Sequence, residues 1–125
     1  MVKKILYVDD ESINLDLFRI NYDQEYEIFT TEFPREGLQI IQKENISVVV
    51  TDFKMPDING LEFVELIKKL NPNVMCIVLS GFLESTISKD SELVFKHIMK
   101  PYKKNQMREA IEQAFEHSQL NKNNV

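Results

Sequence analysis

Five short apolar runs, spaced along the chain and separated by stretches of helical periodicity, constrain this sequence more than any other feature. The runs are Ile5 to Val8, Glu27 to Thr31, Ser47 to Thr51, Val74 to Leu79 and Val94 to Met99. The first, third and fourth are almost unbroken Val, Ile and Leu, the pattern of parallel strands buried on both faces. The second alternates and suits a sheet edge. Between the runs, Ile13, Leu17 and Ile20 share one helical face, and Pro34 opens a segment that buries Leu38 and Ile41. A third helix follows Asn59-Gly60 with Leu61, Val64, Ile67 and Leu70, ending before Pro72, and the last carries Met107, Ile111, Ala114 and Phe115. The segment from Phe82 to Glu92 has only Leu83 and Ile87 as anchors and predicts a short or distorted helix. Strand and helix in alternation argue for an α/β fold, a parallel sheet covered on both faces.

A chain of 125 residues suits one domain, and 43% hydrophobic residues suffice for a core. No apolar run approaches the ~20 residues that span a bilayer. The first run is too short for a signal-peptide core, which predicts a cytoplasmic protein with no membrane insertion. A formal net charge of −5, with Lys100, Lys103 and Lys104 as the only tight basic group, argues against direct nucleic-acid binding. The single cysteine, Cys76, excludes an internal disulfide and sits in an apolar run as a small core hydrophobe.

The chemistry gathers where strands end. In open α/β sheets, ligands bind beyond the carboxyl ends of the strands, near the point where strand order reverses. Asp9-Asp10 follow the first run and Asp52 follows the third, so neighbouring strands would bring three carboxylates together. Three crowded anions repel unless a cation sits among them, and Mg²⁺ suits few carboxylates and several retained waters. Capping of the first helix by Asp9 and Asp10 is the competing explanation. Lys100-Pro101 after the fifth run supplies a cation able to pair with a carboxylate or phosphate. Ser80-Gly81 after the fourth supplies a hydroxyl and space beside it.

These residues resemble the receiver domain of bacterial two-component response regulators. The resemblance rests on Ile5-Leu6-Tyr7-Val8-Asp9-Asp10-Glu11, on Val48 through Leu61 with its Asp52-x-x-Met55-Pro56-x-x-x-Gly60 block, on Val78-Leu79-Ser80-Gly81, and on Met99-Lys100-Pro101-Tyr102. It implies a flavodoxin-like (βα)5 three-layer sandwich with strand order 2-1-3-4-5. Residues 1–119 would form the receiver and 120–125 a polar, disordered tail. Asp52 would be the phosphoacceptor; Asp10, Asp52 and the backbone carbonyl of Lys54 would hold Mg²⁺ directly, with Asp9 acting partly through water and Mn²⁺ as the alternative ion. Lys100, Ser80 and Gly81 would bind the phosphoryl group, Ser80 and His97 would act as the switch, and Lys100-Pro101 would be a cis peptide. A sensor histidine kinase or phosphotransfer protein, a downstream effector protein or domain, and a homodimer are the implied partners. The chain would catalyse its own aspartyl phosphorylation and slow autodephosphorylation.

Three departures from the family pattern stand out. His97 occupies a position that often holds Tyr or Phe, Lys54 lies two residues after the acceptor, and the interval from Ser80 to Lys100 is short. A Mg²⁺-dependent phosphohydrolase would need Asp-x-Asp on the first strand, and a flavodoxin a Ser/Thr-Gly-rich loop after it; Asp9-Asp10-Glu11-Ser12-Ile13-Asn14 provides neither. A receiver-like scaffold acting as a phosphorylation-independent interaction module is the remaining alternative.

Overall fold

The computed structural model describes residues 2–81 and 92–123. Its strands are β1 (Lys4–Val8), β2 (Glu27–Thr31), β3 (Val48–Asp52), β4 (Met75–Ser80) and β5 (Lys96–Met99), and its helices α1 (Ser12–Tyr22), α2 (Pro34–Glu44), α3 (Gly60–Leu70) and α4 (Lys104–Asn123). The expected segment from Phe82 to Glu92 falls, as far as Ser91, outside the described residues.

All strands pair in parallel, in the order β2-β1-β3-β4-β5. Side chains alternate across the pleat, so each central strand feeds two cores. Ile5, Val50 and Ile77 pack with Phe18 and Tyr22 of α1 and Met107 and Ile111 of α4. Leu6, Val49 and Cys76 pack on the other face with Ile41 of α2 and Phe63 and Ile67 of α3. This is a flavodoxin-like three-layer sandwich. Cys76 is fully buried, and burial pushes its thiol up to about 12, so it behaves as a core hydrophobe.

Local signals set the helix ends. Pro34 occupies the first turn of α2, and Asn45 closes that helix in the left-handed region at φ 56°. Asn59 and Glu62 form a reciprocal capping box at the start of α3. Among the described residues, no helix is long and apolar enough to cross a membrane.

Two expectations change. The Ile13, Leu17 and Ile20 face of α1 points to solvent, at 63%, 50% and 71% exposure, and the helix buries Leu15, Phe18 and Tyr22 instead. Both faces have helical spacing; aromatic bulk decides between them. Phe18 stacks on Tyr7 with centroids 4.2 Å apart, and the Tyr22 hydroxyl donates to the Lys104 carbonyl at 3.1 Å. At the other end of the chain, α4 runs to Asn123, so the stretch from 120 expected as a disordered tail continues the helix that far. Leu120 and Lys122 are good helix formers, and no Gly or Pro interrupts the stretch.

Candidate functional site

The sheet register brings the polar strand ends level. β1 is flanked by β2 and β3, with Val8 opposite Thr51, and Asp9 and Asp10 continue just past it. Asp52 and Ser80 are the last residues of their strands rather than the first after them. Asp52 pairs with Leu79 and Ser80 with Met99, which lengthens each strand by one residue and fixes the backbone beneath the functional side chain. The ladder continues into the loops, with Phe53 N–H donating to Leu79 O at 2.7 Å and Lys100 N–H to Ser80 O at 2.8 Å.

Gly60 closes the crevice from the α3 side. Its N–H donates to Phe53 O at 2.7 Å, and a Cβ there would lie 2.5 Å from the Asp52 carbonyl oxygen. Only glycine admits that approach. The Asp52-to-Gly60 spacing is thus the length of a loop that returns against the strand it left.

Carboxylate oxygens of Asp9, Asp10 and Asp52 lie within 4.8 Å of one another. Lys100 Nζ donates to Asp52 Oδ1 at 2.8 Å. Burial pushes the Asp52 carboxyl above its usual range; Lys100 pulls it back only in part, and Asp9 and Asp10 add to the rise. Burial lowers the Lys100 ammonium, but its bond to Asp52 and the surrounding negative charge more than offset this, and its net shift is upward. Two of the three carboxylates are buried and all three are hard oxygen donors, so the set fits a hard divalent cation.

The crevice is lined by Asp10, Glu11, Asp52, Lys54, Ser80, Gly81 and Lys100. Asp9 lies behind this lining, 1% exposed. Its Oδ1 accepts from the Glu11 N–H at 3.0 Å, and its Oδ2 from the Tyr7 hydroxyl at 3.0 Å and Asn14 Nδ2 at 3.1 Å. Ser80 Oγ is buried with no hydrogen-bond partner among the described residues. His97 does not line the crevice. It sits on β5 opposite Val78, half-buried, with both ring nitrogens unpartnered among the described residues and its pKa lowered by burial. The Lys100–Pro101 peptide is cis.

Sequence reasoning passed over Tyr7 and Asn14, the side chains that hold Asp9. Strand periodicity carries the signal for Tyr7: positions two apart share a sheet face, and a tyrosine is long enough to reach the next acid.

A doubly wound parallel sheet with an acidic crevice and a lysine at its carboxyl edge defines the class of α/β domains that bind ligands at a topological switch point. The family model for the response regulator receiver domain matches residues 5–112, and this chain belongs to that family. Among curated relatives it is 29% identical to the hydrogenase transcriptional regulatory protein HoxA of Cupriavidus necator, over 90% of this chain and 24% of that protein. It is 27% identical to sporulation initiation phosphotransferase F of Bacillus subtilis, over 89% of this chain and 92% of that protein. The chain therefore spans about a quarter of the length of the first transcriptional regulators it matches. A receiver domain structure from Clostridium thermocellum superposes with a TM-score of 0.87 at 32% identity, covering 95% of this chain and 98% of that one. A CheY-like receiver from Methanospirillum hungatei gives 0.84 at 30% identity, covering 95% and 98%. The chain is a receiver domain of two-component signalling.

Proposed function

We propose that Asp52 accepts a phosphoryl group from a phosphohistidine on a sensor kinase or phosphotransfer protein, and that the resulting aspartyl phosphate switches a surface read by an effector protein or domain. The observation that carries this reading is the 2.8 Å pair between Lys100 and Asp52 beside the oxygens of Asp9 and Asp10. Lys100 holds one oxygen of the Asp52 carboxylate, which leaves the other free of hydrogen bonds among the described residues and available as the nucleophile. Its lone pair forms the new O–P bond as the P–N bond breaks, and that electron pair returns to the departing imidazole. Asp9, Asp10, Asp52 and the Lys54 carbonyl would hold Mg²⁺, with Mn²⁺ as a substitute; the bound ion would neutralise the carboxylates and draw charge from the transferring oxygens.

Lys100 supplies the second positive charge, already in place before transfer. Ser80, whose hydroxyl lacks a partner among the described residues, is suited to turn toward the new phosphoryl oxygens with Gly81 leaving room beside it. His97, one strand over from β4, would respond to that movement and carry it to the outer face of β5. Lys54, exposed at the crevice rim, would influence how quickly water reaches the acyl phosphate.

Acetyl phosphate with Mg²⁺ tests the reading without a kinase. Intact-mass spectrometry should show one added phosphoryl group on the wild type and none on Asp52→Ala. An unchanged wild-type mass, or equal labelling of the variant, overturns it.

A further inference from the structure

Asp9 differs from the other two carboxylates in having its hydrogen-bonding capacity nearly spent. An ionised carboxylate offers about four acceptor sites. Glu11 N–H takes one on Oδ1, and Tyr7 and Asn14 take two on Oδ2. About one site remains, and it is on Oδ1. Among the described residues, the Asp10 side chain makes no hydrogen bond, and the Asp52 carboxylate accepts one, from Lys100.

The donors on Oδ2 are themselves fixed. Tyr7 is 4% exposed, and its ring lies flat on Phe18 with planes 8° apart. Asn14 reaches the same oxygen from the first turn of α1. The clamp thus joins a strand and a helix on either side of one atom.

Coordination chemistry gives the clamp a consequence. Ca²⁺ takes six to eight oxygens (~2.3–2.6 Å) and readily accepts bidentate carboxylates, whereas Mg²⁺ demands a near-ideal octahedron and keeps several waters. We propose that Tyr7 and Asn14 are positioning residues that set cation selectivity: by occupying Oδ2 of Asp9 they deny an ion in this crevice a bidentate third carboxylate, and so favour Mg²⁺ over Ca²⁺. Asp9 then contributes charge and at most one oxygen. The inference rests on the cation-assisted reading above and adds the residues that choose the cation.

Isothermal titration calorimetry with MgCl₂ and with CaCl₂ tests it, using the whole chain and no phosphodonor. The readout is the ratio of the two dissociation constants in the wild type, Tyr7→Phe, Asn14→Ala and the double variant. Tyr22→Phe serves as control, since it loses a buried hydroxyl bonded to Lys104 O rather than to Asp9. The preference for Mg²⁺ should fall about tenfold in the double variant, the scale on which groups orienting a ligand act, and should hold in Tyr22→Phe. A merely structural role would weaken both ions together and leave the ratio within about twofold of wild type, which overturns the inference. If the double variant does not fold, Asn14→Ala, on the less buried side of the clamp, decides by the same criterion with an expected change of about threefold. A wild type that binds neither ion overturns both this inference and the cation-assisted reading. A wild type that binds Mg²⁺ with an unchanged ratio in the variants overturns this inference alone.

Discussion

The two sides of the acidic crevice are built on opposite principles. On the β1 side, Asp9 is buried and accepts three hydrogen bonds from Tyr7, Glu11 and Asn14. On the β4–β5 side, Ser80 Oγ and both His97 nitrogens are buried and unpartnered among the described residues. Unmet buried polar groups cost free energy, so the two sides differ in what their polar atoms contribute to stability. One side is organised by hydrogen bonds, and the other holds buried polar atoms without a partner among the described residues. Asp52 and Lys100 sit between and face both.

Four substitutions would break or sharpen this contrast. The largest effect belongs to the centre: Lys100→Ala should slow labelling by acetyl phosphate about 10²–10³-fold, the cost of losing one preorganised donor at developing negative charge. Time-resolved mass spectrometry reads this directly, and a rate within tenfold of wild type would show that Lys100 is dispensable.

On the organised side, Tyr7→Phe removes a hydrogen bond to a buried carboxylate and should cost ~1.5–3 kcal/mol by urea unfolding in Mg²⁺-free buffer. An unchanged midpoint would mean that Asp9 finds another donor without penalty.

At the junction, Asp52→Asn should raise the melting temperature of the metal-free protein at neutral pH by about 3 °C, equivalent to ~1 kcal/mol in a domain of this size. The sign follows from the raised Asp52 pKa. The native state holds this proton more tightly than the unfolded chain, so ionisation costs stability as pH climbs from the unfolded value of ~3.9 toward the raised native one. The advantage of the variant should vanish below that window. A lower melting temperature at neutral pH would show that the Lys100 pair outweighs the burial and repulsion.

The smallest effect is expected on the β4–β5 side. Ser80→Ala deletes a hydroxyl with no partner among the described residues and should leave unphosphorylated stability within ~0.5 kcal/mol of wild type or slightly above it. A clear loss would reveal that Ser80 is already engaged before phosphorylation.

Much of this molecule was legible before folding was considered. The continuous apolar runs around Leu6, Val49 and Ile77 are the central strands, and the acids after the first and third runs meet the lysine after the fifth at one edge of the sheet. The Asp52-to-Gly60 interval was readable because one steric requirement, the approach of Gly60 to the Asp52 carbonyl, leaves a fixed mark in the chain. The buried face of α1 was not. Leu15, Phe18 and Tyr22 compete with Ile13, Leu17 and Ile20 on equal spacing, and the choice depends on Tyr7 offering a ring for Phe18 to stack on.

The amino-acid order determined the elements, their alternation and which polar groups stand at strand ends, because strand and helix periods and turn chemistry act over a few residues. Tertiary structure completed how those groups differ. Asp9 and Asp10 are adjacent and chemically identical, yet one is tied by a tyrosine and an asparagine and the other faces the crevice. Tyr7 reaches Asp9 through the strand's own two-residue repeat, but a hydrogen bond forms only within about 3 Å, and the placement of α1 after β1 is what brings Asn14 to the same oxygen.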